Sequence, residues 1–194
     1  MGAHESKRDS IVSPRFGAVR NLLERQIDDG FHPGAQLCVE LGGEIVADLA
    51  VGKALIGSGT PLAHDSVMPL FSSAKPITSV AIGALVDSLR LNFDDPVATH
   101  VPEFATHGKS NIQVRHLMNH TSGLADDALF DGGSSRAEVI AGICDSVPVS
   151  GWVPGDRAAF LPTAGWHMLG EVVERVSGRS FRSFRSFVQS FVLD

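Results

Sequence analysis

The feature that most constrains the fold is a β-hairpin pattern near the N-terminus. Residues 35–41 and 44–51 form two apolar runs with strand propensity, and Gly42-Gly43 separates them. A two-residue glycine connection between such runs is a strong hairpin signal, because glycine adopts the positive φ angles that the turn needs. We therefore predict two antiparallel strands. Two strands do not make a stable sheet by themselves, so the hairpin needs partners that this chain need not contain.

Helical periodicity dominates the rest of the chain. Apolar residues recur at helical spacing from Pro14 to Ile27, and a second apolar face follows Pro76. Helices are predicted at residues 14–27, 77–89, 111–123, 136–145 and 166–176 and along the phenylalanine-rich tail to residue 194, with Ile77, Val80, Ala81, Ala84, Leu85 and Leu89 as the buried face of the second. Gly123 and Gly178 are typical of helix C-termini. The stretches at 52–70 and 89–104 are predicted as connections.

Composition excludes several classes of protein. The 194 residues are 43% apolar and 20% charged, which is ordinary for a globular protein and argues against disorder. The net charge of −6, without a basic run, argues against nucleic-acid binding. No apolar run has the length of a bilayer span, and no apolar segment follows the charged N-terminus as in a secretory signal. We expect a cytoplasmic protein, and the sequence does not indicate its oligomeric state.

The two cysteines are interpreted as structural. Cys38 and Cys144 are too few and too far apart for a disulfide framework, and both lie among apolar residues. Buried free thiols are expected, since neither position has the local signature of a catalytic cysteine. Trp152 and Trp166 are likewise expected in the core rather than in a substrate cleft.

The segment FSSAKPITS, residues 71–79, carries the candidate chemistry. Ser72 and Lys75 stand in an S-x-x-K relation at the start of a predicted helix, where residues i and i+3 share a face. A desolvated, neutral lysine amine can accept the serine proton and so create a nucleophile. The alternative is a solvated lysine beside a serine that caps the helix. The apolar helix that follows favours the catalytic interpretation.

Four segments, in order along the chain, resemble the serine β-lactamase and penicillin-binding-protein family, in its class C-like branch with related esterases and D-aminopeptidases. They are HPGAQLCVELGGEIVADLAVGKA, HDSVMPLFSSAKPITSVAIGALVDSLRLNFDDPV, NIQVRHLMNHTSGL and WVPGDRAAFLPTAGWHMLGEVVERVSGRSF. The first resembles the opening hairpin of the family, the second its nucleophile segment, the third its T-V-R-x-L-L-x-H-T-S-G-L block, and the fourth the segment that holds its second catalytic motif. Together they cover nearly the whole chain from about Pro14.

The resemblance implies the N-terminal part of an α+β protein with the β-lactamase/transpeptidase-like fold. It implies one incomplete domain over 1–194, with a flexible N-terminus to about residue 13, a helix and hairpin at 14–70, and the nucleophile helix and helical region at 71–194. The implied reaction is acyl transfer from a small-molecule ester, amide or β-lactam to water, with Ser72 as nucleophile and Lys75 as its activating partner. No metal, organic cofactor, nucleic acid or membrane is implied.

Two departures from the family pattern bear on activity. The second motif of the family is Tyr-x-Asn or a variant, and its tyrosine helps to move a proton during acylation. Phe160 stands at the matching position, or Leu161 under a one-residue gap, and neither has a hydroxyl group. The third motif, Lys-Thr-Gly or His-x-Gly, lies beyond Asp194 in the family, so we expect a truncated member. Both departures favour the alternative, an inactive remnant or binding module on the same scaffold.

Other chemistry-bearing residues are weaker candidates. His116 and His120 are four residues apart and would share a helix face, as metal ligands do, but no glutamate follows His116 as in a zinc protease motif. The resemblance places His120 in a structural block, and we favour that interpretation. Asp94 and Asp95 precede a proline and are interpreted as turn residues rather than a catalytic pair. Neither a G-x-S-x-G elbow nor a phosphate-binding loop is present.

Overall fold

The computed structural model describes residues 11–57, 59–125 and 133–179. The chain divides into two compact units, Met1–Pro69 and Leu70–Asp194. The tail from residue 180, predicted as a helix, and residues 126–132 lie outside the described residues.

The first unit contains an antiparallel sheet with the strand order β1-β3-β2. The strands are β1 (Ile11–Val12), β2 (Gly34–Leu41) and β3 (Glu44–Gly52). The predicted hairpin is confirmed to within one residue, and φ is 62° at Gly42 and 84° at Gly43, as the tight turn requires. β1 was not predicted because two residues show no alternation. It pairs with Asp48 and Ala47 of β3, so part of the hairpin edge has a partner.

A helix packs on this hairpin within the first unit. A 3₁₀ turn (Pro14–Phe16) leads into α1 (Gly17–Asp28), which contacts both long strands, so the first predicted helix is confirmed. Along β3, the alternate residues Ala47, Leu49 and Val51 are buried, which is the period of a strand.

The position of Cys38 corrects one prediction. The sequence predicts a buried thiol, but Cys38 is exposed. It lies on β2, where Gln36 and Glu40 are also exposed, and a strand turns residues i and i+2 to the same face. Local hydrophobicity therefore misled the prediction, because the alternation of the strand decides which face each residue occupies.

The second unit is helical over its described residues. Its elements are a 3₁₀ turn (Phe71–Ala74), α2 (Lys75–Asp87), α3 (Val97–His100), a 3₁₀ segment (Pro102–Gly108), α4 (Val114–Met118), α5 (Arg136–Asp145) and α6 (Ala164–Ser177). The bounds of α5 are as predicted, and α6 ends at Gly178 as predicted, with a φ of 70°. The short helical elements between residues 97 and 108 were missed, because one or two turns carry too little periodicity to detect.

The hydrophobic core of this unit forms around α6, which contacts α2, α4 and α5. Fully buried side chains from these elements and the 3₁₀ segment meet there, including Ile82, Leu85, Phe104, Leu117, Ile143, Met168 and Leu169. The core holds the first turn of α2 and the loop before α6 in fixed positions, since both are continuous with helices packed in it.

The buried face of α2 differs in part from the prediction. Ala81 and Leu85 are buried as expected, whereas Val80 is 50% exposed and Leu89 94% exposed. Ile82, which was not assigned to the face, is fully buried. The helix ends at Asp87, so Leu89 lies beyond it and takes no part in helical periodicity.

Lys109 is a buried cation that the sequence did not reveal. Its side chain is fully buried, and its Nζ atom donates to the carbonyl oxygens of Cys144, at 2.8 Å, and of Ser146. These carbonyls end α5, where a cation is favourable. Burial lowers the pKa of Lys109.

Burial raises the pKa of Cys144, the thiol that was predicted to be buried, and so disfavours a reactive thiolate there.

Gly123 does not end a helix as predicted. α4 stops at Met118, five residues earlier, and Gly123 has a φ of 73° in the loop that follows. A Cβ at this position would collide with the ring of Trp152, whose Nε1 atom donates to the Thr121 oxygen at 3.0 Å. Glycine is therefore required by positive φ and by the tryptophan, which is half-buried against this loop.

None of the described helices is long and apolar enough to cross a membrane.

Candidate active site

Ser72 and Lys75 meet at the start of α2. Ser72 lies in the 3₁₀ turn (Phe71–Ala74), and Lys75 is the first residue of the helix. A 3₁₀ turn has about three residues per turn, so the side chains at i and i+3 lie above one another. The Lys75 Nζ atom hydrogen-bonds to Ser72 Oγ at 2.8 Å. The predicted approach of these two atoms is confirmed, and the 3₁₀ turn explains why it is so close.

The surroundings of the pair suit a nucleophile and a base. Ser72 is exposed, so its hydroxyl is open to a substrate, and Lys75 is half-buried. The Nζ atom lies 5.8 Å from the ring centroids of both Phe160 and Trp166. Over the described residues, no carboxylate pairs with Lys75. The amine is therefore held by the serine hydroxyl and two aromatic rings rather than by a counter-ion.

The residue before Ser72 is in an unusual backbone conformation. Phe71 has a φ of 46°, in the left-handed region, although it is not a glycine. Its side chain is 84% exposed, so burial of the ring does not explain the conformation. Such strain is tolerated where the surrounding structure enforces it, and it is common at functional sites. Here it adjoins the 3₁₀ turn that brings Ser72 and Lys75 together.

Phe160 lies beside the lysine amine, whereas Leu161 does not face solvent. Phe160 is 65% exposed, with its ring near Nζ as described above, and Leu161 is only 5% exposed. Of the two residues that match the family tyrosine by sequence, Phe160 is thus the one next to the Ser72–Lys75 pair. Its ring occupies space close to the amine but offers no group that can take or give a proton.

Trp166 packs against the hydrophobic core of the second unit, as predicted, but it also borders the candidate site. It is half-buried and contacts the Lys75 amine. It also lines a cavity of about 460 Å³, together with Pro162 and Thr78. Thr78 lies three residues after Lys75 on α2. The cavity adjoins the helix that carries the candidate base. The sequence offered no signal for this role, because a tryptophan is far more often buried for packing.

His120 connects the block after α4 to the loop that carries Phe160. Its backbone oxygen accepts a hydrogen bond from the Ala159 N–H at 2.9 Å, and its Nδ1 atom accepts one from the Leu161 N–H at 3.1 Å. Its ring lies 5.0 Å from that of Phe160, between centroids. The structural interpretation of His120 fits these contacts, although the sequence did not indicate what it contacts.

The predicted shared helix face of His116 and His120 is wrong. α4 ends at Met118, and His120 has a φ of 62°, outside the helix. His116 Nδ1 instead accepts the Gln113 N–H at 3.1 Å, at the N-terminus of α4. Burial, and to a smaller extent Arg115, lower the pKa of His116. Within the described ranges, no group of three or more histidine, cysteine or acidic side chains is placed to bind a metal ion.

Asp94 and Asp95 have the turn role that the sequence indicates. Asp95 Oδ2 accepts the Asn92 N–H at 2.9 Å and lies 3.1 Å from His100 Nε2. Asp94 Oδ1 pairs with Arg115 at 2.9 Å. Each carboxylate thus has its own structural partners, which does not fit a catalytic pair.

Known proteins resemble both the sequence and the fold. The Beta-lactamase family model matches residues 19–186. The esterase/beta-lactamase LipL of Mycobacterium tuberculosis is 28% identical over 175 residues, and the penicillin-binding protein 4 of Amycolatopsis lactamdurans is 32% identical over 153 residues. These matches cover 88% and 77% of this chain. A solved penicillin-binding protein homologue from Caulobacter crescentus aligns with a TM-score of 0.75 and 30% identity over 90% of this chain.

The matches cover only part of each relative. This chain spans 40% of the length of both curated relatives and 48% of the solved chain. The structural match confirms the expected α+β fold of the β-lactamase/transpeptidase type over that part. The family model covers most of the chain, from α1 through the Ser72–Lys75 turn and α6, and the chain therefore belongs to the beta-lactamase family.

Proposed function

We propose that this chain is part of a serine hydrolase that transfers an acyl group from a small ester, amide or β-lactam to water. The observation that carries the proposal is the 2.8 Å hydrogen bond between Lys75 Nζ and the exposed Ser72 hydroxyl. A neutral lysine amine at this distance can remove the hydroxyl proton as the oxygen attacks a carbonyl carbon.

The proposed reaction uses these two residues in two steps. Ser72 Oγ bonds to the substrate carbonyl carbon while its proton moves to Lys75 Nζ. The bond to the leaving group then breaks, the leaving group takes the proton from Nζ, and an acyl-serine remains. In the second step water attacks the acyl carbon and loses a proton to Nζ. The bond between the acyl carbon and Ser72 Oγ then breaks, Oγ takes the proton back from Nζ, and the carboxylic acid leaves.

The backbone at the start of α2 supports the developing negative charge. The first N–H groups of a helix have no partner within it and stabilise an oxyanion. We assign the Ser72 N–H, in the 3₁₀ turn that leads into α2, as one donor to the oxyanion. By the family resemblance, the second donor belongs to the strand of the third motif, which in the family follows the four segments quoted above.

The substrate class rests on relatives and on the cavity. The relatives described above are named as an esterase/beta-lactamase and a penicillin-binding protein, and both names point to carbonyl substrates. The cavity beside Trp166 is lined by Val139, Pro162 and Gly170 and also by the polar side chains of Arg136 and His167, and it lies next to the helix of Lys75. A small acyl group that has both apolar and polar parts fits such a lining.

A fluorophosphonate probe tests the proposal, because it phosphonylates only an activated serine. We expect peptide mapping by mass spectrometry to find the adduct on Ser72 in the 194-residue chain. The Ser72→Ala variant should stay unlabelled, and Ser73→Ala, which changes the exposed neighbouring serine, should be labelled like the wild type. A folded wild-type chain that takes no label would overturn the proposal in favour of a remnant or binding module.

A further inference from the structure

His120 has a left-handed backbone conformation next to the candidate site. Its φ of 62° is uncommon for residues other than glycine, although asparagine, aspartate and histidine adopt it more often than the rest. Its two hydrogen bonds go to the amides of Ala159 and Leu161, on either side of Phe160. His120 therefore accepts hydrogen bonds from the residues on both sides of Phe160, which is the residue beside the Lys75 amine.

The ring of His120 also lies close to the two aromatic rings beside Lys75, those of Phe160 and Trp166. Its centroid lies 5.0 Å from that of Phe160 and 5.9 Å from that of Trp166. These same two rings lie 5.8 Å from the Lys75 amine. The contacts run from His120 through the two rings to Lys75, so a shift of the histidine would move what surrounds the amine.

We propose that His120 is a positioning residue, which fixes the loop at 159–161 through its Nδ1 atom and so holds Phe160 beside Lys75. The Nδ1 atom accepts the Leu161 N–H, which requires the neutral ring with its proton on Nε2. The effect of His120 on the reaction rests on the proposed function of Ser72 and Lys75. Its hydrogen bonds to the loop at 159–161 do not depend on that function.

Amide hydrogen exchange separates the two bonds of His120. In His120→Gly the left-handed backbone is retained at no steric cost, but the Nδ1 acceptor is lost. We expect the Leu161 amide to exchange about tenfold faster, and the Ala159 amide, which donates to the backbone oxygen, to keep its protection. His120→Asn tolerates the same φ and supplies a carbonyl acceptor, so it should restore protection at Leu161.

The rate at which fluorophosphonate labels Ser72 gives the second readout. We expect it to fall by about 10- to 100-fold in His120→Gly, because small displacements in a site are costly in rate, and to recover in His120→Asn. His107→Gly is the matched control, since His107 also has a positive φ, of 56°, and pairs on the surface with Asp145. It should label at the wild-type rate.

The outcomes distinguish the two proposals. If the Leu161 amide in His120→Gly exchanges as slowly as in the wild type, the positioning role is overturned. It is also overturned if that amide loses protection while the labelling rate of Ser72 stays unchanged. A wild-type Ser72 that takes no label refutes the proposed function, while the exchange data still decide whether His120 grips the loop. If His120→Gly does not fold, His120→Ala takes its place in both measurements.

Discussion

Replacing Lys75 with methionine should lower the rate at which a fluorophosphonate labels Ser72 by about 10²–10⁴-fold, the usual contribution of a positioned general base. Methionine is similar in length and keeps the packing against Phe160 and Trp166, but it cannot accept a proton. Both rings beside the lysine amine also lack a proton acceptor. Among the described residues that contact the Lys75 amine, none can therefore replace it as a base, and the loss should reach this range.

Two further variants identify what Lys75 contributes. Lys75→Arg retains a positive charge but stays protonated, so it should be as slow as the methionine variant if the amine acts as a base. Lys53→Met removes an exposed lysine of the first unit and should leave the rate unchanged. A Lys75→Arg variant that labels at the wild-type rate would show that charge alone matters and would remove the base from the mechanism.

Introducing a hydroxyl at Phe160 should have the second largest effect, and in the opposite direction. We expect Phe160→Tyr to raise the labelling rate of Ser72 by about 10- to 100-fold, since a phenol near the amine adds a group that can relay the serine proton. Phe160 is 65% exposed, so the added oxygen needs no new space in the core. The family resemblance assigns a tyrosine to the same place.

Leu161→Tyr tests whether position or mere presence of a tyrosine matters. Leu161 is 5% exposed, and enlarging a buried side chain typically costs about 1–3 kcal/mol in the free energy of unfolding. This variant should melt at a lower temperature and gain no labelling rate. Phe31→Tyr, on an exposed phenylalanine of the first unit, should change neither quantity. A faster Leu161→Tyr with an unchanged Phe160→Tyr would show that the two positions were assigned the wrong way round.

Those parts of the fold with strong local signals were predictable from the sequence. The Gly42-Gly43 turn is one, because the alternatives to glycine at two consecutive positive φ angles are few. Gly178 is another, since a left-handed residue after an apolar helical stretch ends the helix. The exposure of Cys38 was not predictable in the same way, because it depends on which face of β2 is covered.

The candidate site shows the same division between local and long-range signals. Ser72 and Lys75 are three residues apart, so a single turn of backbone is enough to bring them together. His120, Phe160 and Trp166 are brought to the site by contacts between distant segments, and no periodicity in the sequence reports such contacts. The positive φ of His120 could not be read from a histidine within what looked like a helix.

The central claim is that Ser72 becomes covalently acylated, and trapping the acyl-serine tests it most directly. The chain is mixed with an activated ester such as p-nitrophenyl acetate, quenched with acid within the first turnover, digested and mapped by mass spectrometry. The account predicts an acetyl group on Ser72, absent from Ser72→Ala and greatly reduced in Lys75→Met. An acetyl group found only on other residues, or equal acetylation of the wild type and Lys75→Met, would contradict it.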